Sequence, residues 1–291
     1  MFTGTLTALI TPFRDGRLDE QALRDLIERQ IQAGIDGLVP CGSTGESATL
    51  SHDEHRRVVE VTIEAAGGRV PVIAGTGSNS TQEAIELTRH AGEAGATGAL
   101  LLSPYYNKPT QEGIYQHYRA VALETGLPLV IYNIPGRTAS NIAPETIGRL
   151  ARIENIVGVK EASGDLDQIS HVLAACPSDF SVLSGDDALI LPLMAVGGQG
   201  VISTSSNVAP ERVAELVRLG ARGDFAAARQ QHHALLPLFD VLFCETNPIP
   251  VKAACAALGL CGEEIRLPLT KLTAPNEERL KVVLKDLEIL R

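Results

Sequence analysis

The chain has no tryptophan, two methionines and only 4% aromatic residues, so aliphatic side chains must fill its core. It also lacks a basic run: 25 Lys and Arg stand against 35 Asp and Glu, a formal net charge of −10. Nucleic acid is thereby excluded as an expected partner, because neutralising phosphates needs clustered cations. An anionic small molecule needs only a few well-placed ones. No apolar stretch has the length of a membrane span, and Met1 to Thr5 leads straight into a strand-like run with no basic region before it. Neither a membrane helix nor a signal peptide is expected. The five cysteines (Cys41, Cys176, Cys244, Cys255 and Cys261) are scattered, odd in number and form no CxxC. That excludes a disulfide framework and a zinc cluster, and it points to reduced thiols in the cytoplasm.

What is present is an alternation. With 291 residues, 44% hydrophobic and 21% charged, the chain can bury a large core. Short apolar runs rich in Val, Ile and Leu read as strands at Leu6–Ile10, Gly37–Cys41, Val70–Ala74, Ala99–Leu102, Pro128–Tyr132, Asn155–Ala162, Ser181–Leu183 and Gly200–Ser203. Helix-like stretches lie between them, including Asp19–Gly34 with Leu23, Leu26, Ile27 and Ile31 on one face, and Ser51–Ala66. Ser80 and Glu83 have capping-box spacing at the start of a helix running to about Ala94. The spacing predicts an α/β fold, a parallel (β/α)8 TIM barrel over residues 1–223. An open doubly wound sheet is the alternative, weakened by the missing GxGxxG after the first strand. From residue 224 the pattern turns purely helical, so 224–291 is expected to be a C-terminal helical domain packed on the barrel.

In such a barrel the active site lies at the C-terminal ends of the strands. Lys160 ends the sixth run, and of the six lysines only this one directly continues a strand-like apolar segment. A buried ammonium is costly. Two readings follow: an ion pair with Glu161 or another strand's carboxylate, or a nucleophilic amine that forms a Schiff base. Ser43 and Thr44 follow the second strand, Tyr105 and Tyr106 the fourth, Tyr132 and Arg137 the fifth, and Gly185 the seventh. Alone, each has a bland reading: a tight glycine loop, a satisfied core tyrosine, a surface arginine. The barrel brings them to one mouth with Lys160.

Gly42-Ser43-Thr44-Gly45-Glu46, Tyr132-Asn133-Ile134-Pro135-Gly136-Arg137-Thr138 and Gly158-Val159-Lys160-Glu161-Ala162 resemble the pyruvate-dependent class I aldolase superfamily, and within it the dihydrodipicolinate synthases. Tyr105-Tyr106-Asn107-Lys108-Pro109, Ser184-Gly185-Asp186-Asp187 and Asn247-Pro248-Ile249-Pro250-Val251-Lys252 extend the resemblance nearly end to end. It implies a lyase that condenses pyruvate with L-aspartate 4-semialdehyde in diaminopimelate and lysine biosynthesis, without cofactor or metal. Lys160 would be the Schiff-base lysine and Tyr132 the proton donor and acceptor. Ser43 and Tyr106 would form the relay, with Tyr106 entering from a neighbouring subunit of a homotetramer built as a dimer of dimers. Thr44 would hold the pyruvate carboxylate beside Gly185 and the Ile202 carbonyl, and Arg137 the semialdehyde carboxylate.

The resemblance is imperfect at Ser43, where the synthases usually carry threonine. The sialic acid lyases share a Gly-Ser-Thr-Gly-Glu loop but lack an arginine at the Arg137 position. Other same-fold retro-aldolases, or a non-catalytic ligand-binding member, are the remaining alternatives. Ser47, Ala48, His52, His55, Asn79, Glu83 and Tyr105 match positions that bind L-lysine as an allosteric feedback inhibitor in the family. A metal reading of His52 and His55 lacks the Cys or Asp/Glu frame that would complete a ligand set.

Overall fold

The computed structural model describes residues 2–290. Eight parallel strands alternate with helices: β1 (Gly4–Ala8), β2 (Gly37–Val39), β3 (Ile73–Gly75), β4 (Gly98–Leu102), β5 (Leu129–Asn133), β6 (Ile156–Glu161), β7 (Ser181–Ser184) and β8 (Gly200–Ser203). Their order in the sheet is β2-β1-β8-β7-β6-β5-β4-β3. The seam between β2 and β3 is closed by a bridge from Leu38 to Val72 and by backbone bonds from Leu38 to Pro71 and from Gly75 to Pro40. The result is a nearly closed barrel.

Side-chain parity assigns the faces. Leu100, Val130, Tyr132, Leu183 and Ile202 point inward and pack with Phe2, Leu6 and Ile73. Their strand neighbours Leu101, Ile131, Val159 and Val182 point outward into a second cluster, against the surrounding helices. This is the two-residue period of a strand, buried on both faces as parallel strands usually are.

The outer ring comprises α1 (Glu20–Gln32), α2 (His52–Ala66), α3 (Thr81–Glu93), α4 (Gln111–Thr125), α5 (Pro144–Leu150), α6 (Leu166–Ala175), α7 (Ile190–Ala195) and α8 (Pro210–Ala221). The full capping box is at the start of α2, where Ser51 and Glu54 exchange side-chain and backbone bonds. At α3 the cap is only half formed. The Ser80 hydroxyl accepts from the Glu83 N–H, whereas the Glu83 carboxylate turns to Ser78 and His52. A short hairpin pairs Phe13–Arg14 with Arg17–Leu18. Strand β2 stops at Val39, because Cys41 takes a left-handed backbone (φ 55°) that cannot continue the ladder.

Three helices follow, α9 (Phe225–Val241), α10 (Ile249–Ala257) and α11 (Ala274–Asp286). They share one apolar cluster with residues of α1, α2 and α8. Polar contacts reinforce that packing: Arg266 makes paired bonds of 2.6 and 2.7 Å to Glu54 and lies over the Phe13 ring. The hydrogen bonds from Arg266 hold the Glu54 carboxyl at about 2, below its usual 4.5. The ionised pair therefore stabilises the fold above pH 4.5, and its contribution is lost as the pH falls through about 2. Replacing Glu54 with Gln is expected to lower stability at pH 7. In urea unfolding against pH, that difference from wild type should shrink below pH 4.5 and vanish near pH 2.

Candidate active site

Lys160 and Tyr132 sit side by side because β5 and β6 are in register, Tyr132 opposite Lys160 and Asn133 opposite Glu161. Lys160 shares Tyr132's inward parity, and only 5% of it is exposed. Its Nζ lies 4.3 Å from the centroid of the Tyr132 ring. Among the described residues no carboxylate pairs with it. Glu161 is one residue on and therefore faces the other way. It accepts from the Ser163 N–H (2.8 Å) and from Asn133 Nδ2 (3.1 Å), and burial pushes its carboxyl above the usual range. The ion-pair reading of Lys160 is thus not what the fold contains.

Gly185 explains itself through the same side chain. A Cβ there would stand 3.0 Å from Lys160 Cε and 2.6 Å from the Ala162 Cβ, so only glycine leaves the amine its path. Ile202 is fully buried in the barrel interior, in register with Leu6 of β1.

The loop after β2 is a tight backbone turn. The N–H groups of Gly45, Glu46 and Ser47 bond back to the Gly42 and Ser43 carbonyls. Those of Ser43 and Thr44 have no acceptor among the described residues, which leaves two adjacent donors for an anion. The Thr44 hydroxyl accepts from Asn247 Nδ2 at 3.0 Å and lies 3.4 Å from the Thr204 hydroxyl. Arg137, in a helical turn after β5, donates to the Asn247 carbonyl at 2.8 Å.

A cleft of about 420 Å³ opens over this mouth. Its walls include Ser43 and Arg137 together with Ser47, Ala48, His52, His55, Glu83 and Tyr105. A second cavity of about 30 Å³, sharing Ser43 and Ser47 with the cleft, reaches Tyr132. The Ser78 hydroxyl and, next, His52 hold the Glu83 carboxyl below its usual range in spite of partial burial. His55 bonds the Gly75 carbonyl through Nε2 (2.8 Å), and burial lowers its basicity. Among the described residues no three His, Cys, Asp or Glu side chains converge as a metal site.

Lys160, Thr44, Gly185 and Ile202 line neither space, but each is joined to the site by its own contact: Lys160 and Ile202 to Tyr132, Gly185 to Lys160, and Thr44 to Asn247. Two further expected residues stand apart. Asn79 lines neither space; its carbonyl accepts from Asn107 Nδ2. Tyr106 also lines neither, is 88% exposed and holds a left-handed backbone (φ 70°). Ser43, Tyr132 and Tyr106 make no direct hydrogen bonds to one another in this chain.

Sequence reasoning missed two partners. In the sequence Asn247 stands out only as part of a motif; in the fold it joins Thr44 to Arg137. Lys252, from the same motif, is buried beside the Phe13 ring and bonded to Glu46, the last residue of the Gly-Ser-Thr-Gly-Glu loop. Burial pushes the Lys252 ammonium below the usual lysine range, and Glu46 opposes that shift. The only prior signal was a lysine inside an apolar helix.

The chain matches the model of the Dihydrodipicolinate synthetase family over residues 1–287. It is 58% identical over 286 residues to the 4-hydroxy-tetrahydrodipicolinate synthase of Syntrophus aciditrophicus, with 98% of each chain covered. It is similar to the crystal structure of dihydrodipicolinate synthase from Aquifex aeolicus, with 52% identity, a TM-score of 0.98 and 99% of both chains covered. It is also similar to the lysine-bound structure from Cyanidioschyzon merolae, with 42% identity, a TM-score of 0.97 and 99% of both chains covered.

Truncating Lys252 to Ala leaves Glu46 buried without its cation. The expected cost is about 3–5 kcal/mol, read from the urea midpoint, with native helix content retained in the absence of urea.

Proposed function

The chain belongs to the dihydrodipicolinate synthetase family, a family of lyases, and from that premise we propose that it condenses pyruvate with L-aspartate 4-semialdehyde to 4-hydroxy-tetrahydrodipicolinate. This is the first committed step toward diaminopimelate and lysine. The observation that carries the reading is a buried amine with no carboxylate partner among the described residues, set against a tyrosine at the barrel mouth.

Lys160 Nζ attacks the pyruvate ketone carbon, and water leaves to give a protonated imine. The imine draws electrons from the neighbouring C–H bond, a methyl proton departs and an enamine forms. The enamine carbon adds to the semialdehyde carbonyl. The substrate's own amino group then attacks the imine carbon, closes the ring and expels Lys160. Tyr132 is the acid and base for these transfers, linked through Ser43 toward the cleft. Ser43 keeps the hydroxyl that a relay needs, without the methyl that would narrow its rotamers.

Thr44 and the free N–H groups of Ser43 and Thr44 hold the pyruvate carboxylate, with Gly185 and the Ile202 carbonyl beside it. Arg137 takes the semialdehyde carboxylate with its forked guanidinium. Its presence in the cleft favours the synthase over a sialic acid lyase. The exposed Tyr106 fits a role at a second subunit's site, in a homotetramer arranged as a dimer of dimers. Residues 224–291 act in this scheme as a helical appendage to the catalytic barrel of residues 1–223. Catalysis in the cytoplasm belongs to the same reading; among the described residues no helix is long and apolar enough to cross a membrane.

A second reading concerns regulation. Six of the seven expected lysine positions line the one cleft, with the Glu83 carboxylate available to an ammonium group. The similarity to a lysine-bound relative supports L-lysine as the ligand.

Borohydride reduction with pyruvate should give a mass adduct on Lys160, and Lys160→Ala should give none. Arg137→Ala should retain that adduct while raising the KM for semialdehyde roughly thirty- to a hundred-and-fiftyfold, the loss of a charged hydrogen bond of about 2–3 kcal/mol. An adduct of full yield in Lys160→Ala would remove the mechanism. For regulation, millimolar L-lysine should lower the steady-state rate, and Glu83→Gln should weaken that inhibition about tenfold. A rate indifferent to lysine would refute this second reading.

A further inference from the structure

Asn247 is 94% buried by its 6% exposure and comes from the C-terminal segment, outside the barrel strands. Its side-chain Nδ2 donates to the Thr44 hydroxyl at 3.0 Å, and its backbone carbonyl accepts from Arg137 at 2.8 Å. Its Oδ1 is buried without a partner among the described residues. A hydroxyl can donate or accept, so which it offers a ligand depends on what its neighbours occupy. Here the amide of Asn247 supplies a proton to Thr44 Oγ1, and the Thr44 proton must go elsewhere. The alternative acceptor, the Thr204 hydroxyl, is 3.4 Å away, long for an O–H···O bond. Thr204 is itself fixed from behind, its N–H donating to the buried Asp187 carboxylate at 3.2 Å. A carboxylate in the loop would receive the Thr44 proton in a shorter, charge-assisted bond.

We infer that Asn247 is a positioning residue that sets both carboxylate anchors, turning the Thr44 hydroxyl into a committed donor for the keto acid and holding Arg137 for the acceptor. The inference rests on the Schiff-base reading above. It assigns selectivity for an α-keto carboxylate to a contact that spans 203 residues of sequence. The Arg137 arm uses the Asn247 backbone, so side-chain substitution isolates the Thr44 arm.

The test is borohydride trapping on Lys160 against concentration, with pyruvate and with its neutral methyl ester, in wild type, Asn247→Ala and Asn247→Asp. Asn247→Asp keeps the shape but replaces the donor with an acceptor. The pyruvate concentration for half-maximal trapping should rise about tenfold in Asn247→Ala and further in Asn247→Asp, while methyl pyruvate shifts by no more than about twofold. Equal weakening of both compounds, the signature of a merely structural role, would overturn the inference, as would an unchanged pyruvate curve. A wild-type chain that forms no adduct would overturn the Schiff-base reading and this inference with it.

Discussion

The site depends on one constraint, the alternation of side chains along β6. Val159 and Glu161 face the helices and Lys160 faces the barrel interior, because successive residues of a strand point to opposite sides. A one-residue slip of β6 would exchange the amine for a carboxylate. The register with Tyr132 on one side and Leu183 on the other prevents that slip, and the outward apolar residues of β5, β6 and β7 enforce it through burial. The nearest carboxylate in sequence is thereby placed where it cannot neutralise the amine, and Asn133, Ser163 and Gln168 satisfy it instead.

The barrel alone does not finish the site. The loop that carries Ser43 and Thr44 is anchored at its far end by Glu46, whose carboxylate binds Lys252 and the Arg266 N–H. Lys252 and Arg266 both lie over the Phe13 ring, at 4.2 and 4.1 Å, so the hairpin after β1 joins the same cluster. Buried ion pairs seldom add net stability, but removing one partner is expensive, which makes them effective at specifying a single arrangement. In this chain that arrangement is the position of an anion-binding loop relative to the C-terminal helices.

Much of the fold was legible because its signals are local. The apolar runs that became the eight strands, the helix between Asp19 and Gly34 and the purely helical tail all declare themselves within short windows. The boundaries moved where a backbone feature intervened, as at Cys41. The helices at Leu166–Ala175 and Pro210–Ala221 and the hairpin around Asp15 and Gly16 go beyond the elements expected from sequence. The hairpin's strands are two residues each, too short for a period to show. At the site, Lys160 was legible from its run, and the roles of the surrounding residues came from resemblance to a family. Asn247 and Lys252 were not legible as partners. Their contacts with Thr44 and Glu46 cross more than two hundred residues, and no periodicity encodes such a pairing.

The same loop also ties the cleft to the amine. Ser43 and Ser47 belong at once to the wall of the large cleft and to the small cavity that reaches Tyr132. Between them the backbone is left-handed at Glu46, and Ser47 opens the short 3-10 turn that leads through Thr49 to His52. A ligand held by Glu83 and His52 would therefore press on the turn whose other end presents the Ser43 and Thr44 donors. Any displacement it causes has to work against the Glu46–Lys252 pair, because that pair fixes the middle of the segment. The ion pair thus sets how stiffly the two ends of the loop are coupled. Pinned to the C-terminal segment, the middle resists a shift passing from one end to the other, and a loosened one would let it through.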